Sequence, residues 1–259
     1  WPRTMLATLP SPQTTSRSTL RLVPSSTNCA DRASCRSRTK LPFTFNHAAE
    51  LLGATLAPSS TISATLQLQI MQDFRSTVLA TTAAFALHIV ETMERLGMEP
   101  DSLHLRLILL GPDPLPDTTR DRLESAFGIP VYGLYGVTEM GEPGMAGECP
   151  AKAGLHLAED QFLAEIVHPL TGEPVPSGQE GELVLTTLTA EAYPLIRYRT
   201  GDITVLREGP CSCGRTAARI VPILRRTDNR VSIRGIPLYP EQVEELLRSI
   251  DPLLDDFRL

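Results

Sequence analysis

The apolar positions of this chain change rhythm along its length. Residues 83–96 carry Phe85, Ile89, Met93 and Leu96 at helical spacing and run up to Gly97, which predicts an amphipathic helix with a glycine stop. Residues 66–74 place Leu66, Ile70, Met71 and Phe74 on one helical face. A third helix is predicted over residues 118–127, ended by Gly128, and residues 48–53 read as the end of another. Short apolar runs separate these helices, at residues 54–58, 77–80, 105–110 and 129–135, and predict strands. Strands alternating with helices imply a parallel sheet whose ligands bind outside the carboxyl ends of the strands.

After Glu139 the rhythm becomes that of strands alone. Residues 162–167, 182–187 and 203–206 predict strands, with turn signals at Thr171-Gly172 and Ser177-Gly178 and no long helix between them. An antiparallel β-subdomain is expected there. Residues 230–236 predict one more strand. Residues 239–250 predict a helix with Pro240 in its first turn and acids near its start. The expected fold class is therefore α/β: a parallel-sheet part over residues 46–148, an antiparallel β-subdomain over 149–227, and the start of a small α+β domain over 228–259. Residues 1–45 have no sustained apolar period and are rich in Ser, Thr, Arg and Pro. Such a segment buries too little apolar surface to offset its ordering entropy, so disorder is expected.

Composition narrows the classes. An apolar fraction of 42% and a charged fraction of 21% fit a soluble globular chain with ample core. No apolar run approaches a membrane span, and no signal-peptide pattern opens the sequence. Five cysteines, an odd number, point to a reducing, cytoplasmic setting rather than a disulfide framework. The formal charge of −6 is uneven: residues 1–40 hold seven basic residues and one acid, the remainder 17 basic and 29 acidic. The basic arm lacks interleaved aromatics and helical period, which argues against nucleic acid as a partner. A homodimer stays open.

The candidate chemistry starts at the end of the fourth predicted strand. Tyr135, Gly136, Val137, Thr138 and Glu139 follow one another there. Gly136 permits a sharp turn, and a hydroxyl and a carboxylate past a strand end can reach a phosphate oxygen and its magnesium. Tyr135 offers a flat face for a purine. Gly111 and Asp113 follow the preceding strand. Farther on, Cys211 and Cys213 form a tight thiol pair suited to a soft metal, with Cys149 and His156 as candidate partners. A reduced thiol pair unrelated to metal is the alternative.

These motifs carry a resemblance. Tyr135 to Glu139, then Tyr198-Arg-Thr-Gly-Asp202, then Arg226-Thr-Asp228 and Ile233-Arg-Gly235 stand in the order and spacing of adenylate-forming enzymes. Residues 154–202 and 232–245 resemble the phenylacetate–CoA ligase family within them. The resemblance covers roughly residues 46–259. It implies ATP-dependent ligation of an aryl carboxylate to CoA through an acyl-adenylate, with ATP or AMP, magnesium and CoA as cofactors. By resemblance Gly111 and Asp113 border the adenine pocket with Gly136, and Tyr135 stacks on adenine. Thr138 contacts the α-phosphate, Glu139 holds magnesium, Asp202 binds the ribose hydroxyls and Arg226 approaches the phosphates or ribose. Asp228 matches the hinge of the C-terminal domain, and Gly235 lies beside the pantetheine tunnel. Members with the CxCGR element resemble zinc carriers, which would make Cys149, His156, Cys211 and Cys213 a structural zinc site.

Two family features have no counterpart here. No stretch resembles the phosphate loop SSGTTGKP, and no lysine follows Lys152. The expectation is a truncated ligase, its opening residues foreign to the family, with little activity in this chain. Two rivals stay open: an adenylyltransferase acting on a deazaflavin cofactor, and a non-catalytic fragment that binds nucleotide or zinc.

Overall fold

The structure is a computed structural model that describes residues 5–8, 48–49, 51–59, 62–111, 115–140, 144–227, 231–233 and 236–238. The chain forms two compact units, Trp1–Ala158 with Gly209–Ala217, and Glu159–Glu208 with Ala218–Leu259. The boundary differs from the expected one at residue 149. Two short strands after Glu139 extend the sheet of the first unit, and the 209–217 loop belongs to that unit too.

In the first unit, strands β1 (Met5–Thr8), β2 (Thr55–Pro58), β3 (Val78–Thr81), β4 (Leu107–Leu110), β5 (Val131–Tyr135), β6 (Ala146–Glu148) and β7 (Leu155–Leu157) stand in the order β2-β1-β3-β4-β5-β6-β7. β3 pairs with β4 and β4 with β5 in parallel. β1 runs antiparallel to both β2 and β3, so the four expected strands β2, β3, β4 and β5 all point the same way, and the strand that interrupts their parallel pairing is β1, inserted between β2 and β3. Met5–Thr8 also lies within the segment expected to be disordered. Its backbone pairs on both sides, which satisfies the donors and acceptors that composition alone left unaccounted for.

Among the described residues the helices α1 (Ala64–Asp73), α2 (Ala83–Leu96) and α3 (Asp117–Phe127) pack on this sheet. Ser63 and Thr82 cap the first two, each accepting the N–H three residues on at 3.3 Å. Gly97 and Gly128 end α2 and α3 in the left-handed conformation, as their sequence positions predict. Leu79, Ile108 and Val131 on adjacent strands pack in one cluster with Leu68, Met71, Ile89 and Leu123 from the helices. Each such burial contributes about 1.5–3 kcal/mol. The buried stripe of α1 is Ala64, Gln67, Leu68 and Met71; of the predicted face Met71 is buried and Ile70 packs against the core, while Leu66 and Phe74 are exposed. The stripe is rotated from the predicted one because it takes in a polar residue, Gln67, that apolar spacing does not select. In α2, Ile89 and Met93 are buried as expected, while Leu96 is exposed.

The second unit is antiparallel. β8 (Phe162–Val167), β9 (Glu180–Thr187), β10 (Tyr198–Arg207) and β11 (Arg219–Ile220) lie in the order β11-β10-β9-β8, with β12 (Arg225–Arg226) pairing β10. Leu183, Leu185, Ile203 and Ile220 are buried. The strand expected over residues 203–206 begins five residues earlier and takes in the whole Tyr198 to Asp202 motif. The strand expected over 230–236 is instead a hairpin of β13 (Val231–Ile233) and β14 (Ile236–Leu238). The helix expected over 239–250 lies outside the described residues. Among the described residues no helix is long and apolar enough to cross a membrane.

Candidate functional site

Two loops leave the carboxyl ends of neighbouring parallel strands in the first unit. Gly111 follows β4 and donates its N–H to Thr81 at 3.2 Å. A Cβ there would lie 3.2 Å from the Leu134 carbonyl oxygen, so glycine lets the end of β4 approach β5. After β5, Gly136 is buried, and Thr138 to Met140 form one 3₁₀ turn with Thr138 and Glu139 exposed. The Val137 N–H points to the Met145 sulfur at 3.3 Å, tying this loop to the start of β6. Tyr135, by contrast, is only 6% exposed. It is the last residue of a strand buried along most of its length, so its ring is no open platform for stacking. Asp113 lies outside the described residues.

The second unit holds the other candidate pair. Asp202 and Arg226 are register partners between β10 and β12. Arg226 Nη1 donates to Asp202 Oδ1 at 2.7 Å, and Asp202 is 4% exposed. The register of β10 against β9 shifts between Arg199 and Ile203, so Thr200, Gly201 and Asp202 bulge out opposite Leu183. Gly201 has φ +78°, a conformation that favours glycine. Asp202 is therefore not a turn residue but the end of a bulge inside a strand. Asp228 and Gly235 lie outside the described residues.

Cys149, His156, Cys211 and Cys213 come together in the first unit, their four ligand atoms within 4.8 Å of one another. β6 ends one residue before Cys149, and His156 sits in the middle of β7, so the β6–β7 hairpin supplies two donors. The 211–214 turn, closed by the Gly214 N–H on the Cys211 carbonyl at 2.9 Å, supplies two more. Cys149 Sγ and Cys211 Sγ are 3.8 Å apart, and Cys213 Sγ is 3.5 Å from His156 Nε2. Tetrahedral zinc with bond lengths near 2.3 Å to sulfur and 2.0 Å to nitrogen separates two sulfurs by about 3.8 Å and a sulfur from a nitrogen by about 3.5 Å. The donor set and its spacing thus fit a Cys₃His zinc site. All three cysteines are free thiols. Burial pushes the Cys149 thiol up, and hydrogen bonding with Cys213 and Cys211 pushes it further against the pull of the Ala151 N–H. A bound divalent cation reverses that balance by favouring thiolates.

Sequence reasoning missed two buried carboxylates. Glu148 is 7% exposed and takes both Arg120 guanidinium nitrogens at 2.8 Å, together with the Gly133 N–H at 2.6 Å. Arg120 also donates to the Val131 carbonyl at 2.8 Å, so one ion pair joins α3, β5 and β6. The available signal was the place of Arg120 on the Leu123 and Phe127 stripe of α3, where a charge needs a partner. Glu182, 2% exposed, is the other, and only the strand register reveals it.

A sheet with parallel strands at its centre and helices between them, together with an antiparallel unit, places the chain in the α/β class. The chain belongs to the AMP-binding enzyme family, whose profile matches residues 40–189. It is 41% identical over 212 residues to a phenylacetate-coenzyme A ligase of Thermus thermophilus, covering 82% of this chain and 48% of that ligase. A phenylacetate-coenzyme A ligase of Escherichia coli K12 is 37% identical over 216 residues, covering 83% and 49%. The open conformation of a 2-hydroxyisobutyryl-CoA ligase, solved with 2-HIB-AMP and CoA, superposes with a TM-score of 0.65 at 26% identity, over 78% of this chain and 48% of that one. The chain spans about half the length of the curated relatives it matches. These likenesses do not favour the deazaflavin adenylyltransferase or the non-catalytic fragment.

Proposed function

We propose that this chain is the nucleotide-handling part of an AMP-forming acid–thiol ligase that joins an aryl carboxylate such as phenylacetate to CoA. The observation that carries the reading is the Gly136 to Glu139 loop at the carboxyl end of the parallel strand β5, in a chain 41% identical to a phenylacetate-coenzyme A ligase. In the first half-reaction a carboxylate oxygen attacks the α-phosphorus of ATP and pyrophosphate leaves. In the second the CoA thiol attacks the acyl carbonyl and AMP leaves. Such chemistry asks little covalent work of side chains; positioning and charge neutralisation set the rate.

Thr138, exposed after β5, would donate its hydroxyl to an α-phosphate oxygen. Glu139 beside it would hold magnesium, which neutralises phosphate charge. Gly111, Asp113 and Gly136 would border adenine, with buried Tyr135 backing that pocket. Asp202 would accept hydrogen bonds from the ribose hydroxyls, which requires the Arg226 guanidinium to share or yield Oδ1. Arg226 would approach the phosphates or ribose. Asp228 would serve as the hinge, and Gly235 would leave room for pantetheine. Zinc on Cys149, His156, Cys211 and Cys213 would be structural, because four protein ligands leave no open position.

Isothermal titration of the chain with ATP–magnesium tests the reading. Saturable binding, weakened in Thr138→Ala and Asp202→Ala, is the expected result. Absence of nucleotide binding by a folded chain would overturn it. Thioester formation is expected of the whole ligase rather than of this half.

A further inference from the structure

Glu182 is a glutamate in the middle of a buried strand. It is 2% exposed, and its neighbours Leu183, Val184 and Leu185 on β9 are core residues. A carboxylate in such a place is costly unless every oxygen has a donor. Both oxygens of Glu182 are committed to the β10 bulge. Oε1 accepts the Gly201 N–H at 3.2 Å, and Oε2 accepts Arg199 Nε at 3.0 Å and also Arg199 Nη2.

The bulge needs this help. Across it Arg199 pairs with Val184 and Ile203 pairs with Glu182, leaving three β10 residues opposite one on β9. The extra residues lose their ladder partners and find others. Thr200 Oγ1 donates to the Leu183 carbonyl at 2.9 Å and accepts the Asp202 N–H at 3.0 Å. The Gly201 carbonyl accepts the Thr227 N–H at 2.7 Å. The Gly201 N–H goes to Glu182. Gly201 immediately precedes Asp202, so its peptide orientation sets the direction of the Asp202 side chain.

We propose that Glu182 is a positioning residue for nucleotide recognition: by gripping Gly201 within the bulge and Arg199 at its start, it aims the Asp202 carboxylate. This rests on the reading of Asp202 as the acceptor of the ribose hydroxyls. A shorter or neutral side chain at 182 would let the bulge relax and the carboxylate turn. The core around Leu183 would still hold the sheet together.

The test measures binding of ATP–magnesium and of 2′,3′-dideoxy-ATP–magnesium to the full chain by titration calorimetry. The ratio of the two affinities reports the hydroxyl contacts and is insensitive to uniform loss of folded protein. The wild-type chain is expected to favour ATP by roughly tenfold or more, the scale of hydrogen bonds to a charged acceptor. Asp202→Ala abolishes that preference; a preference left intact there would overturn the Asp202 reading itself. Glu182→Ala is expected to bring the ratio close to one while Asp202 remains in place. Glu182→Asp keeps the charge in the core but is too short to hold both Gly201 and Arg199, and is expected to cut the ratio at least threefold. It serves if the alanine variant does not fold. A wild-type ratio in either folded Glu182 variant, with the ratio lost in Asp202→Ala, would overturn the positioning role alone.

Discussion

Asp202 and Arg226 face each other across the β10–β12 ladder, with Arg226 Nη1 on Asp202 Oδ1 at 2.7 Å. The carboxylate side chain is 6% exposed and the guanidinium side chain 39%. Removing the arginine therefore leaves a buried charge, partly relieved by water entering from the open side. Arg226→Met is expected to destabilise the chain by about 1–2 kcal/mol, below the range for fully buried pairs. Adding Asp202→Asn to it should cost less than the two single changes together. Urea titrations of the four proteins in a double-mutant cycle measure the coupling, and strict additivity would contradict it.

Arg120 and Glu148 make the more deeply buried pair, at 9% and 4% side-chain exposure. Arg120→Met strands Glu148 and withdraws a donor from the Val131 carbonyl. A loss of about 3–5 kcal/mol is expected, read as a fall in the denaturant midpoint. Because Glu148 also accepts the Gly133 N–H, the companion change Glu148→Leu is expected to restore only part of the loss.

The stability of the first unit should depend on pH through Glu124. Burial opposes its ionisation, but the Lys152 ammonium and the Val131 N–H, with the charge of Arg120, outweigh burial and hold its pKa below the ordinary value. A carboxyl with a depressed folded pKa contributes stability above its unfolded pKa, about 4.3, and loses it as pH falls through the folded value. Glu124→Gln should flatten stability against pH on the acid side and leave the neutral region with a constant offset. Thermal melts between pH 3 and 7, on the order of the carboxylate range, give the profile.

Gln67 in α1 is fully buried, and among the described residues neither its amide nitrogen nor its amide oxygen has a hydrogen-bond partner. Leaving both polar atoms unmatched costs more than an apolar side chain of similar size would. Gln67→Leu is expected to raise stability by about 1 kcal/mol or more, seen as a higher melting temperature. A lower one would mean that the amide serves a contact made only in another state of the protein.

Zinc content checks the cysteine–histidine cluster directly. Elemental analysis should find one zinc per chain, and a strong chelator should lower the melting temperature, by roughly 2–4 °C for each kcal/mol lost. His156→Ala should reduce both zinc content and melting temperature. An unmetallated chain with a melting temperature unmoved by chelator would remove the assignment.

What the sequence alone determined is what local chemistry determines. The period of Ile89 and Met93, the stops at Gly97 and Gly128, and the strand leading to Tyr135 follow from side-chain spacing and backbone freedom over a few residues. The motif order from Tyr135 to Arg226 likewise carried the family. The cysteine cluster was legible as residue types, although its spacing was not. Only the tertiary structure decided which α1 stripe is buried, that β1 pairs between β2 and β3, and that Asp202 ends a bulge rather than a turn. It alone matched Arg120 with Glu148 and Glu182 with Gly201. These depend on register between segments distant in the chain. A buried charge is settled by the partner that folding brings to it, and no short window of sequence contains that partner.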